Sequence, residues 1–144
     1  MARFGKVDYK QLKELQKRLQ QFDELDRQKI CEDSAKTLGK SLYDRAKRKT
    51  ITGTYPPSSG KKGGTLKRGW DTKPFSIPNG YQVDVFNDVE YAAYVEFGHR
   101  TSNHKKWVPG KYMLTKSENE VQANTTKVIN KHVEKALRRL FDDK

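Results

Sequence analysis

The chain has 144 residues, 30 of them Lys or Arg against 18 Asp or Glu, giving a formal net charge of +12, and 33% of it is hydrophobic and 33% charged. That length suits one domain over residues 1–144. The low apolar share, with a mean hydropathy of −1.02, restricts the chain to a small core and leaves either partial disorder or an apolar surface completed by neighbouring subunits. No apolar run approaches the roughly 20 residues of a membrane span, and the opening Met-Ala-Arg-Phe-Gly-Lys-Val lacks the apolar centre of a signal peptide, so a soluble intracellular protein without membrane contact is expected.

Tyr9, Leu12, Leu15, Leu19 and Phe22 recur at steps of three and four behind Asp8, a residue suited to an N-cap, which predicts an amphipathic helix. Cys31, Ala35, Leu38, Leu42 and Ala46 continue the period to about Lys49, with Gly39 a tolerated interruption, so the N-terminal part reads as two helices or one broken one. The lone Cys31 forms no internal disulfide and holds no structural zinc by itself, and its place in the apolar series reads as a small buried hydrophobe.

Residues 50–64 then turn to Gly, Pro, Ser and Thr, and Pro56 with Pro57 excludes a continuing helix, so a long mobile loop is expected. Trp70 to Phe75 reads as a short strand. Tyr81, Val83 and Val85 alternate with Gln82, Asp84 and Phe86 as a second, and the Asn79-Gly80 pair marks a hairpin between them. The apolar stretch from Tyr91 to Gly98 predicts one or two helical turns. After Tyr112, Val121, Thr125, Val128, His132, Ala136 and Leu140 form one stripe, widened by Ile129, Val133, Leu137 and Phe141, which predicts a long C-terminal amphipathic helix. His132 on that stripe reads as a satisfied core or interface histidine. The order gives an α+β class: N-terminal helices, a small antiparallel sheet with a long basic loop, and a long C-terminal amphipathic helix, with helices packed on one face of the sheet.

The positive charge is concentrated. Residues 36–73 hold eleven Lys and Arg against only Asp44 and Asp71, a field that attracts polyanions and anionic partner surfaces. Lys61, Lys62, Lys67 and Arg68 lie near Tyr55 and Trp70, mixing charges for phosphate with rings able to stack. No helix-turn-helix, KH or RNP signature accompanies them, so contact with DNA would be non-specific. The same loop is not a nucleotide-binding P-loop, because Tyr55 stands where a glycine is needed and Lys62 where a Ser or Thr would ligate Mg²⁺. No nucleophile elbow or triad is present. Glu96, His99 and His104 could in principle share a metal ion, but their spacing matches no known ligand pattern, and a polar turn at a subunit contact is the plainer reading. No catalytic residue, metal or cofactor is therefore expected.

Three segments carry a family resemblance. Gly64-Thr65-Leu66-Lys67-Arg68-Gly69-Trp70 resembles a Thr-Gly-x-Leu-basic pattern leading into a first strand. Tyr91-Ala92-Ala93-Tyr94-Val95-Glu96-Phe97-Gly98-His99-Arg100-Thr101 is very similar to a Tyr-Ala-x-Tyr-Val-Glu-Phe-Gly core, and Trp107-Val108-Pro109-Gly110-Lys111-Tyr112-Met113-Leu114 resembles an aromatic or proline segment before a C-terminal helix. Together they resemble the tail-component or neck family of tailed phages, which includes head-tail joining and tail completion proteins, over most of the chain.

The resemblance implies a virion protein of the neck or tail top, assembled in the bacterial host cytoplasm as a homo-oligomeric ring, a hexamer, against neighbouring neck and tail-tube proteins, with genomic DNA in the lumen near its basic loop. Rings close through heterologous contacts. Tyr91, Tyr94, Phe97 and Trp107, with His99 and Arg100, are the candidate interface; the plain alternative for the aromatics is core packing of a short helix on the sheet. Lys61, Lys62, Lys67 and Arg68 are the candidate face toward DNA or a partner. The competing reading is a non-specific nucleic-acid-binding or regulatory protein acting through the basic loop.

Overall fold

The computed structural model describes residues 9–20, 22 and 24–142. Helix α1 runs Tyr9–Gln20 and α2 runs Glu24–Lys49, so the N-terminal periodicity resolves into two helices. Asp8 lies outside the described residues, as do the side chains of Tyr9, Leu15 and Leu19, and Leu12 is exposed. Helix α2 ends on Lys47, Arg48 and Lys49, cations at the negative end of the helix dipole. Buried Thr50 closes it, its Oγ1 donating to the Ala46 carbonyl at 2.7 Å and accepting from Trp70 Nε1 at 2.7 Å. That relay ties the end of α2 to the start of the first strand.

The loop after α2 contains one 3-10 turn, Pro57–Ser59, and leads to a single helical turn, α3, at Thr65–Arg68. Strands β1 (Trp70–Ile77) and β2 (Gly80–Asn87) pair antiparallel from Trp70 opposite Asn87 to Ile77 opposite Gly80. The first strand thus extends past Phe75, and the turn centres on Pro78 and Asn79 rather than on Asn79 and Gly80. Proline cannot take a positive φ, so Asn79 alone takes the left-handed conformation, at φ 61°. Helix α2 lies across this hairpin and also packs along the C-terminal helix.

Gly39 is more than a tolerated interruption. A Cβ there would stand 2.5 Å from Val83 Cγ1 and 2.9 Å from Val83 Cβ, so the missing side chain is what lets α2 approach β2. Glycine costs a helix about 1 kcal/mol against alanine, and the close packing offsets that loss.

Helix α4 (Ala92–Phe97) is followed by a second two-stranded sheet, β3 (Gly98–Arg100) with β4 (Trp107–Pro109), where the sequence had shown only a turn and an aromatic segment. The long helix α5 covers Met113–Asp142. Among the described residues the buried apolar side chains are Ala46, Leu66, Trp70 and Met113, one each from α2, α3, β1 and α5, with Tyr43, Val85, Val89, Ala92, Val95 and Leu114 around them. The core is as small as the composition requires.

Two assignments on the helices change. Cys31 is exposed, because it lies where α2 and α5 leave a groove lined by Phe22, Ile30, Val133 and Leu137 instead of closing over it. Ile129 and Phe141 are also exposed, so the buried stripe of α5 is narrower than its apolar series. His132 is half-buried, its Nε2 3.0 Å from Thr37 Oγ1 on α2. Nearer the core, Glu120 of α5 bridges to α2, pairing with Arg45 and with Lys49 Nζ at 2.6 Å.

Two outcomes follow. Gly39→Ala lowers unfolding stability in spite of the better helix former, by about 1 kcal/mol net of overpacking and propensity. Denaturant titration of Gly39→Ala, Val83→Ala and the double variant should show the double variant less destabilised than the sum of the two. Lys49 and Arg45 hold the Glu120 carboxyl below its usual 4.5. A lowered folded value means the stabilisation is complete above the unfolded value and vanishes as pH falls through the folded one. The stability deficit of Glu120→Gln should therefore be full at pH 6 and shrink as the pH drops below about 4.5.

Candidate interaction surface

The apolar stretch before Gly98 folds as α4 because Gly98, at φ 88°, can stop it, its N–H donating to the Tyr94 carbonyl. The chain after β4 then returns to the same helix end. Lys111 N–H donates to the Val95 carbonyl at 2.8 Å and Tyr112 N–H to the Glu96 carbonyl at 3.1 Å, so two carbonyls that α4 leaves open are satisfied. The return needs two glycines. A Cβ on Gly98 would stand 2.5 Å from the Val108 carbonyl oxygen, and one on Gly110 would stand 2.2 Å from the Glu96 carbonyl oxygen.

Glu96 itself is buried, and it is not part of a polar turn. Its Oε2 accepts from Leu114 N–H at 3.0 Å, while its Oε1 accepts from Thr115 N–H and Thr115 Oγ1, both at 2.9 Å. It is the N-cap of α5, supplied from another helix. The helix needs it, since Tyr112 precedes it in the left-handed conformation at φ 51° and its first turn has no acidic residue. Glu96, His99 and His104 are not brought together as metal ligands. Both Glu96 oxygens are engaged, His104 sits in the β3–β4 connection, and among the described residues no three His, Cys, Asp or Glu are arranged to hold a metal ion.

Burying one face of α4 on the core turns the other outward. Tyr94 and Phe97 are each 60% exposed, Trp107 61% and Tyr91 45%, so these rings do not form the core of a short helix on the sheet. Val108 and Tyr112 extend the exposed apolar area. His99 is half-buried, with Nδ1 3.4 Å from the Tyr94 carbonyl oxygen and its ring edge-on to Tyr94 at 6.0 Å between centroids; Arg100 is exposed. Beside the rings, Phe86, Ala93, Phe97 and Leu114 border a cleft of about 230 Å³. The β3–β4 connection is held by Thr101 and Asn103, whose side chains bond to each other and to the Lys105 and Lys106 N–H groups.

The basic loop meets this surface. Ile51, Tyr55, Lys62, Leu66, Tyr91 and Val95 line a hollow of about 150 Å³ between the loop and α4. Every residue of 51–62 is exposed, yet the two arms approach at the base, where a Cβ on Gly63 would stand 1.9 Å from the Gly53 carbonyl oxygen; Arg68 Nη1 donates to the Gly63 carbonyl at 3.1 Å and so ties α3 to the end of the loop. Lys61 and Lys62 are on the exposed part, Lys67 and Arg68 on α3 behind it.

The sequence missed the role of Glu96, although a signal was present: a long helix with no capping residue of its own must borrow one. Glu96→Ala should cost about 2–3 kcal/mol, the worth of a lost cap with hydrogen bonds to a charged acceptor. Glu96→Gln, which keeps an acceptor oxygen, should cost less. Denaturant unfolding measures both, and hydrogen exchange should show the loss first in the Leu114 and Thr115 amides.

Compared with models of known protein families, residues 13–98 match the family described as "Bacteriophage HK97-gp10, putative tail-component". No curated protein and no solved structure matches the chain. The matched segment runs from α1 through the whole of α4, and so takes in α2, the basic loop, the hairpin and the Glu96 that caps α5. By this match over more than half its length, the chain belongs to the HK97-gp10-like family of phage tail components, structural proteins of the virion.

Proposed function

We propose that the chain is a ring-forming subunit of the join between tail and head, a neck, tail terminator or tail completion protein, and that its role is structural rather than catalytic. The observation that carries this reading is the outward aromatic surface of α4 and β4. Tyr91, Tyr94, Phe97 and Trp107 are exposed on a chain whose described residues bury only four apolar side chains. Contiguous apolar patches on soluble proteins mark contact sites, and burying each such ring contributes about 1.5–3 kcal/mol.

The partner in this reading is first another copy, in a hexameric ring, and then neighbouring neck and tail-tube proteins. A ring requires two different patches that meet, and the rings of α4 and β4 supply one of them. His99 and Arg100, at the edge of the same surface, lie within the contact. Catalysis has no place in it, since Glu96, the one buried acid of the signature, is spent on the α5 cap.

The rings project outward, so their removal separates assembly from folding. Tyr94→Ala and Phe97→Ala should unfold within about 1 kcal/mol of the parent, in the range of exposed substitutions rather than core truncations. Sedimentation at micromolar concentration should show the parent as a hexamer-sized species, the two variants as smaller species, and His99→Ala as close to the parent. A parent that stays monomeric, or aromatic variants that still assemble, would remove the reading.

A further inference from the structure

We infer that the exposed loop of residues 51–62, with α3 behind it, is a binding surface for the phosphate backbone of double-helical DNA, held without regard to base sequence. The inference stands apart from the ring reading and survives its failure. It rests first on the local balance of charge. Residues 45–70 contain eight Lys and Arg and no Asp or Glu. Arg45 and Lys49 are held by Glu120, and Lys47 Nζ donates to Tyr43 Oη at 2.9 Å. Arg48, Lys61, Lys62, Lys67 and Arg68 remain, with no ion pair among the described residues. Elsewhere on the helices cations meet carboxylates one turn away, as Lys36 does Glu32 and Arg138 does Glu134. Around the loop the sequence provides none.

The second observation is geometric. Gly63 packs against the Gly53 carbonyl, so the two arms of the loop approach at its base, and Arg68 donates to the Gly63 carbonyl, which ties α3 to the arm that carries Lys61 and Lys62. Lys61 Nζ lies 5.9 Å from the centroid of the Tyr55 ring, which holds one cation at the exposed part by attraction to the ring face. This gathers charge that an open chain would disperse.

The kind of charge selects the partner. Three of the five cations are lysines, mobile point charges that can follow the dense phosphate array of a duplex, about one charge per 1.7 Å of axis. An acidic protein surface would call for forked arginines matched to fixed carboxylates, and of the two arginines Arg68 is already committed to a backbone carbonyl. Base reading needs an element able to enter a groove. The helix at this surface, α3, has four residues.

Fluorescence anisotropy of labelled duplexes tests the inference. Two duplexes of unrelated sequence should bind equally, and four phosphate contacts should make affinity fall about 100-fold between 50 and 200 mM salt. Replacing Lys61, Lys62, Lys67 and Arg68 together by glutamine should reduce the log–log salt slope by about 3 to 4 units. Lys61→Gln with Lys62→Gln, which leaves the Arg68 bond to the Gly63 carbonyl in place, should reduce it by about 2. A control in which Lys105, Lys106, Lys127 and Lys131 become glutamine removes equal charge elsewhere and should leave the slope unchanged.

The inference is overturned if the control lowers the slope as much as the loop variant, if no duplex binds, or if binding is selective for one sequence and persists at high salt. It is equally overturned if duplex RNA or polyglutamate competes better than duplex DNA at equal charge. Sedimentation of the loop variant keeps the two readings distinct: an unchanged oligomer is expected, and a lost one would assign these charges to a contact between copies.

Discussion

A helix of thirty residues begins with backbone N–H groups that have no acceptor inside it, and when such a start is packed against a core those donors must be met from elsewhere. Here the acceptor is the carboxylate of Glu96, two strands earlier in the chain. Because Glu96 sits on α4, the same contact fixes where α4 lies relative to α5. Met113, buried one residue into α5, is then placed against Trp70, Leu66 and Ala46. The returning backbone at Lys111 and Tyr112 completes the exchange by donating to α4 carbonyls. Each helix end is satisfied by the other, and the aromatic side chains of α4 and β4 face outward as a result.

This accounts for the composition of the signature segment. Val95 and Ala92 face the core and Glu96 reaches α5, while Gly98 and the distant Gly110 permit backbones to touch. Tyr94 and Phe97 join these contacts through their backbone only, and their side chains are exposed. Side chains that build the monomer thus alternate with side chains that do not, within a single turn and a half of helix. Their separation is what allows a surface to change without unfolding the domain that presents it.

Much of the architecture was legible because it rests on local periodicity. The end of α2 near Lys49, the extent of α5, the alternation along β2 and the existence of the hairpin follow from the apolar series and its turn residues, whereas the start of α2 at Glu24 lies before its apolar series begins at Cys31. What periodicity could not supply was anything decided by a distant partner. Cys31 lies in an apolar series, yet its exposure depends on where α2 and α5 separate, and Phe141 is exposed although it falls in the series of α5. Leu66 belonged to no periodic series but is buried, since α3 brings it into the cluster around Trp70. Gly39 looked like a flaw in a helix until Val83 was placed beside it. The aromatic residues proposed for contact were identifiable, but their outward direction was not, because a short apolar helix reads alike whether a face is buried within one chain or left open.

The narrow base of the basic loop has a consequence for the length of the chain. With Gly53 packed against Gly63, and Gly63 held to α3 by Arg68, the ends of the loop already lie side by side. Residues inserted near Ser58 would enlarge a loop whose ends already meet, and doubling a flexible loop costs only about 0.6 kcal/mol of closure entropy. The hairpin and α2 would not be disturbed. The reach of this segment is therefore free to drift by insertion and deletion while the domain beneath it keeps its shape, and a peptide tag grafted there should be carried on the outside of a normally folded protein.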